Sequence, residues 1–166
     1  KKGRRERYLK DESAFEDFIL TAGVEGATFT SADASVVLAD DELCRLLKQV
    51  TAYEHALGHV ARRRDARVVD LLLRVGGLEE TLLADAAALE NAITQVQSHI
   101  AAHEPDLADA EFTIADDEEH SVNRILVRTR LRGLRRVTEI DHGFVTSHEF
   151  AELCQLDRDM GRVGRG

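Results

Sequence analysis

The stretch SVNRILVRTRLRGLRRVTEIDHGFVTSHEFAELCQL, residues 121–156, decides how the chain folds. Over residues 124–131, Ile125, Val127, Thr129 and Leu131 fall on one face and Arg124, Leu126, Arg128 and Arg130 on the other. That period of two is the pattern of a half-buried strand. Arg132 and Gly133 supply a tight turn, Val137 and Ile140 carry a return strand, and residues 141–147 break it. Phe150, Leu153, Cys154 and Leu156 then recur at helical spacing, so the stretch reads as hairpin, corner and helix. At the corner, Asp141 or Ser147 is a helix cap, with Glu149 and Glu152 in the first turns. His142, His148 and Glu149 are thereby explained by local electrostatics, without chemistry.

Upstream, residues 111–115 alternate as a further strand, with a turn at Asp116, Asp117, Glu118 and Glu119. Pro105, the chain's single proline, ends whatever helix precedes it. That helix is expected over residues 79–103, with a seam at Leu82, Ala86, Leu89, Ile93, Val96 and Ile100 close to a coiled-coil stripe. Gly76 and Gly77 separate it from a short helix over 66–75 that is apolar almost all round and therefore buried. Before that, Asp40, Asp41 and Glu42 open a long helix with the stripe Leu43, Leu46, Val50, Tyr53, Leu57 and Val60, ending near Arg62, Arg63, Arg64 and Asp65. A helix over 11–21 and a strand over 27–31 around Phe29 complete the reading. Residues 1–10 alternate as a strand with no partner of their own.

The fold class is α+β: a long antiparallel helix pair and a short helix, packed with a small, mainly antiparallel sheet of three or four strands and a C-terminal helix. A chain of 166 residues suffices for a real core. No apolar run approaches the length of about 18 residues that a membrane span needs, and no apolar segment follows the basic start as a signal peptide would require. A cytoplasmic protein is expected. Cys44 and Cys154 lie in apolar helical patterns and read as buried thiols.

A net charge of −9 argues against phosphate binding by the whole surface, but the charge is segregated. Residues 104–120 hold eight acids and no Lys or Arg, whereas residues 124–136 hold six Arg, which points to separate surfaces for separate partners. The candidate DNA-binding or partner-binding residues are Arg124, Arg128, Arg130, Arg132, Arg135 and Arg136, with a second patch at Arg62, Arg63 and Arg64. A basic β-ribbon contacts a nucleic-acid backbone or an acidic protein; solvated charges that protect an edge strand are the plain alternative. His99 with His103, and His55 with His59, have the i, i+4 spacing of metal ligands but no third ligand, and read as structural. No calcium loop, Gly-rich phosphate loop or nucleophile triad is present, so neither a catalytic residue nor a metal site is assigned.

Three segments carry a family resemblance: YLKDESAFEDF at residues 8–18, GATFTSADA at 26–34 and EIDHGFVTSHEFAEL at 139–153. They resemble the B subunit of bacterial DNA gyrase, and specifically the insert within the Toprim domain of the Gram-negative type. The resemblance implies that residues 1–10 are the remnant of the parent Toprim hairpin, 11–160 the insert and 161–166 a flexible end. The family's E-G-D-S carboxylate motif and K-G-L-G-E-M stretch are absent, so the chain is expected to be a non-catalytic module. The parent uses ATP and magnesium to supercoil DNA; this chain is expected to hold neither. By resemblance its partners are the gyrase A subunit and the rest of the gyrase B protein, with duplex DNA also open and no membrane. The implied role is a strut that couples DNA binding to ATP turnover. Two other readings stay open: a free-standing binder of nucleic acid or acidic protein through the Arg hairpin, and a small metalloenzyme at His99 and His103.

Overall fold

The computed structural model describes residues 19–30 and 37–164, with side chains described to residue 161. It divides into a unit of Tyr53–Asp157 and a smaller unit of Lys1–Ala52 with Arg158–Gly166. In the smaller unit, residues 19–24 are helical, and Gly26 with φ 76 turns the chain. Strand β1 (Thr28–Thr30) then pairs antiparallel with β2 (Val37–Ala39), placing Phe29 opposite Leu38. Helix α1 (Asp40–Val60) follows directly, with Asp40, Asp41 and Glu42 in its first turn, where carboxylates favour the helix dipole. Val24, Leu38 and Leu43 form the unit's core, against which Ala27, Cys44, Leu46 and Leu47 pack. β2 has no counterpart in the sequence reading, because three residues are too few to display a period. The expected strand at 1–10 and the start of the expected helix at 11 lie outside the described residues.

The larger unit begins within α1, where Tyr53, Ala56 and Val60 are buried. The Tyr53 hydroxyl donates to Asp70 Oδ1 at 2.7 Å. Burial and that carboxylate push the phenol well above its usual range. After the turn at residues 61–65 comes α2 (Ala66–Arg74), whose Val68, Val69, Leu71, Leu72 and Leu73 are all buried, as an all-round apolar helix requires. Helix α3 (Ala86–His103) packs on α2 and buries Leu89, Ala92, Ile93, Val96 and Ile100. Pro105 stops it and opens a single 3-10 turn, Pro105–Leu107.

One helix expected over 79–103 is in fact two segments. Glu80–Ala84 is a 3-10 helix, and Asp85 interrupts it as the N-cap of α3, its carboxylate accepting from the amides of Ala87 and Ala88 at 3.0 Å each. A side-chain acceptor that satisfies two otherwise orphan amides outcompetes continuation of the apolar seam. In consequence Leu83, not Leu82, is the fully buried residue of that segment.

The sheet is β3 (Glu111–Asp117), β4 (Val122–Leu131) and β5 (Leu134–Ile140), antiparallel in the order β3-β4-β5. Ile125, Val127 and Thr129 are buried on the inner face, as the alternation predicts. Arg132 and Gly133 both have positive φ, 51 and 80, the signature of the two-residue hairpin turn whose twist matches the strands. Val137 and Ile140 both lie on the return strand, as expected, but on opposite faces. Val137 is 58% exposed, while Thr138 and Ile140 are fully buried. Residues 137 and 140 differ in parity and cannot share a sheet face. Helix α4 (His142–Val145) and helix α5 (His148–Gly164) follow, capped by Asp141 on the amide of Phe144 at 2.8 Å and by Ser147 on that of Phe150 at 3.2 Å. The result is the α+β class with a C-terminal helix.

Gly76 sits where α2 meets α3. A Cβ there would stand 2.8 Å from the carbonyl oxygen of Leu72 and 3.1 Å from Cγ2 of Val96. Gly58, inside α1, faces open space. Gly76→Ala is therefore expected to lower stability by about 1–3 kcal/mol through overpacking, and Gly58→Ala to raise it by about 0.5–1 kcal/mol through helix propensity. Urea midpoints for the two variants check this; shifts of the same sign would contradict it.

Candidate interaction surface

The Arg-rich hairpin is held from beneath by one carboxylate. Asp65 is 2% exposed and lies at the N-cap of α2. Its Oδ1 accepts from the amide of Arg67 at 3.2 Å and from Arg67 Nε at 3.0 Å. Its Oδ2 accepts from Arg67 Nη2 at 2.7 Å and from the Thr129 hydroxyl at 2.8 Å. The Asp65 amide in turn donates to the Thr138 hydroxyl at 2.8 Å. A helix start, β4 and β5 are thus joined through a single residue. Burial alone raises the carboxyl's pKa, but the hydrogen bonds from Arg67 and Thr129, with the nearby guanidinium charge, outweigh it and hold the group below its usual range.

Three arginines bind backbone carbonyls around this centre. Arg64 Nε donates to Glu139 O at 2.8 Å, Arg67 Nη2 to Arg130 O at 3.3 Å and Arg136 Nη2 to Ala61 O at 2.5 Å. The Arg64 guanidinium also lies 4.0 Å from the Phe144 ring centroid and 3.6 Å from Asp141 Oδ1. Arg124 pairs with Glu139 Oε1 at 2.9 Å. Of the nine arginines singled out in the sequence, Arg64, Arg124 and Arg136 are therefore engaged within the fold. Arg67, which sequence reasoning did not single out, is the central one; its signal was the spacing of a capping Asp65 and an Arg two residues on.

The remaining six, Arg62, Arg63, Arg128, Arg130, Arg132 and Arg135, are exposed. On the outer sheet face Arg128 stands opposite Val137, and Arg130 opposite Arg135. Glu111 flanks Arg128 from β3. Arg128, Arg130 and Arg135 line an open groove of about 720 Å³, bounded on its other side by residues 108–111. Leu134, at the hairpin tip, is 74% exposed. The surface is basic and apolar together, with two acids at one wall, Asp109 and Glu111.

The histidines fall elsewhere. His99 and His103 have ring centroids 4.7 Å apart on the surface of α3, and His55 and His59 are exposed on α1. His120 stacks on His142 at 4.3 Å, with Asp117 Oδ2 at 3.1 Å from His120 Nδ1 and Glu80 Oε1 at 3.7 Å from His142 Nε2, a grouping not foreseen from the sequence. Among the described residues, no three His, Cys, Asp or Glu converge where a metal ion could sit. No described helix is long and apolar enough to cross a membrane.

Comparison with known proteins fixes the family. The model of the DNA gyrase B subunit insert domain matches residues 27–162. The chain belongs to this family. Over 82 residues, 49% of the chain, it is 38% identical to the DNA gyrase B subunit of Myxococcus xanthus. Over 72 residues, 43% of the chain, it is 31% identical to the DNA gyrase B subunit of Rickettsia felis. The matched regions amount to 10% and 9% of those two proteins, so this gyrase B insert domain spans a small part of the relatives' length. The match is to the insert of a type II topoisomerase subunit and not to its catalytic part.

Because the folded-state pKa of Asp65 is depressed, its stabilising contribution is full above the ordinary carboxylate range, near pH 4, and is lost as pH falls through the folded value. Asp65→Asn is expected to cost about 1–3 kcal/mol at pH 7, because it removes the charged acceptor of the buried Thr129 hydroxyl and of the half-buried Arg67 guanidinium. The gap from wild type should narrow steadily below about pH 4. Denaturant titrations of both proteins at pH 7 and pH 3 test this; a gap independent of pH would refute it.

Proposed function

We propose that this gyrase B insert domain is a non-catalytic strut that helps to couple DNA binding to ATP turnover in its parent topoisomerase, and that the exposed Arg face of the β4–β5 hairpin is its working contact. What supports the reading is the family match over residues 27–162, together with the division of the arginines. Arg64 and Arg136 are tied to carbonyls and Arg124 to Glu139, whereas Arg128, Arg130 and Arg135 on the outer face carry no described ion pair. A strut transmits a state change only if it touches its neighbours differently in two states. A hairpin anchored at Asp65 is suited to carry such a change, because Asp65 joins β4 and β5 to the start of α2 through hydrogen bonds. On this reading the contact lies within the gyrase assembly, with the A subunit, the rest of the gyrase B protein or the DNA that they hold.

The test is made in reconstituted full-length gyrase carrying Arg128→Ala, Arg130→Ala and Arg135→Ala together. Supercoiling should fall by roughly tenfold, the effect of losing about 1.4 kcal/mol of contact energy. The stability of the insert should change by less than about 0.5 kcal/mol, since all three side chains are exposed. Unchanged supercoiling would refute the role of this face.

A further inference from the structure

We infer that the outer edge of β5, at Arg135 and Val137, is a docking edge for an extended acidic segment of another polypeptide, which adds as a fourth strand beside the Arg groove. The inference rests on the reading of the hairpin as a contact surface and names the chemistry of what it contacts. β5 ends the strand order among the described residues. The direction of its backbone groups follows from two independent observations. A two-residue turn of this type is flanked by a hydrogen-bonded pair, here Leu131 with Leu134, and bonding then alternates along an antiparallel ladder. Residues 135, 137 and 139 therefore point their N–H and C=O groups away from β4. The carbonyl of Glu139 does point outward, since Arg64 Nε donates to it at 2.8 Å. Arg64 thus closes the edge at Glu139, while the corresponding groups of Arg135 and Val137 have no described partner. On β4 the same rule turns Arg130 outward beyond the start of β3, and there Arg67 takes its carbonyl.

The side chains at the open edge define the occupant. Arg135 and Val137 lie on the outer face with Arg128 and Arg130 behind them, so a paired strand presents an acid opposite Arg135 and an apolar residue two positions away opposite Val137. Val137, 58% exposed, offers apolar area on that face that a phosphate backbone does not use. Asp109 and Glu111 flank the groove on its β3 side, across β4 from the β5 edge, so a duplex laid over the groove meets both acids while a single acidic strand beside β5 stays clear of them.

The probe is a fluorescein-labelled peptide of two Glu-Thr-Val-Thr repeats, whose Glu and Val side chains share one face. Fluorescence anisotropy with this chain should show saturable binding that weakens as salt is raised. Val137→Pro removes an outward N–H that β4 does not use, a change that edge strands tolerate. It should weaken binding about tenfold, and Arg135→Glu by more. Amide exchange on the unsubstituted chain gives a second readout that needs no variant: residues 135 and 137 should become protected on adding the peptide. Absence of that protection, or tighter binding to a 20-base-pair duplex than to the peptide at about 0.15 M salt, would overturn the inference. Failure here alongside lost supercoiling in the triple Arg variant would leave the strut reading intact and remove only this partner.

Discussion

A carboxylate sealed from water beneath a hairpin is the constraint on which the larger unit depends. Removing an ion from water is costly, and the cost is recovered only where every lone pair finds a donor. Asp65 meets that demand by drawing in an amide from the first turn of α2, two nitrogens of the Arg67 fork and a hydroxyl from β4. Its own amide is satisfied by a hydroxyl from β5. Each of those partners arrives only if its strand or helix is in register. Thr129 and Thr138 are consequently buried polar residues in a sheet face that is otherwise Ile125, Val127 and Ile140. A slip of one residue in β4 or β5 would turn its hydroxyl to solvent and strip the network of a partner, so the network specifies register as well as adding stability.

Around that centre, arginine serves two purposes that share a chemistry but differ in environment. The planar guanidinium that grips a carboxylate bidentately also reaches backbone carbonyls that a helix end or a strand edge leaves open. Arg64, Arg67 and Arg136 do so at Glu139, Arg130 and Ala61. The carbonyl of Ala61 belongs to the turn just past the end of α1, where a cation is also favoured by the helix dipole. Beyond these three, the outward arginines stand on a scaffold that is already rigid.

How much of this was legible in the sequence varies with the range of the interaction. The inner face of β4 could be read from residues 125–129 because parity is a local property, and the turn at Arg132 and Gly133 because only a few residues adopt left-handed backbone. Family membership was readable from short segments, of which 139–153 lies wholly and 26–34 almost wholly within the matched range. The break at Asp85 was not, since an apolar seam runs through residues 82–100 and nothing local reveals that a cap will prevail over it. The return strand was legible from Val137 and Ile140, but their opposite parity means that only Ile140 is buried. Which arginines the fold engages was beyond reach, because Arg64 and Arg136 find their carbonyls 75 residues away along the chain. Likewise, no spacing rule links Asp65 to Thr129 across 64 residues.

The carbonyl clamps have a consequence for how the domain responds to its ionic surroundings. A guanidinium held against a half-buried backbone oxygen competes with water, not with dissolved ions, whereas an exposed guanidinium is screened within about 10 Å at 0.1 M salt. The two sets of arginines therefore act on separate dials. Raising ionic strength weakens the field of the outer face while the arm that carries that face keeps its shape. On the proposed reading, release from a partner would leave behind a hairpin that keeps its folded geometry, ready to re-engage without ordering a loop again.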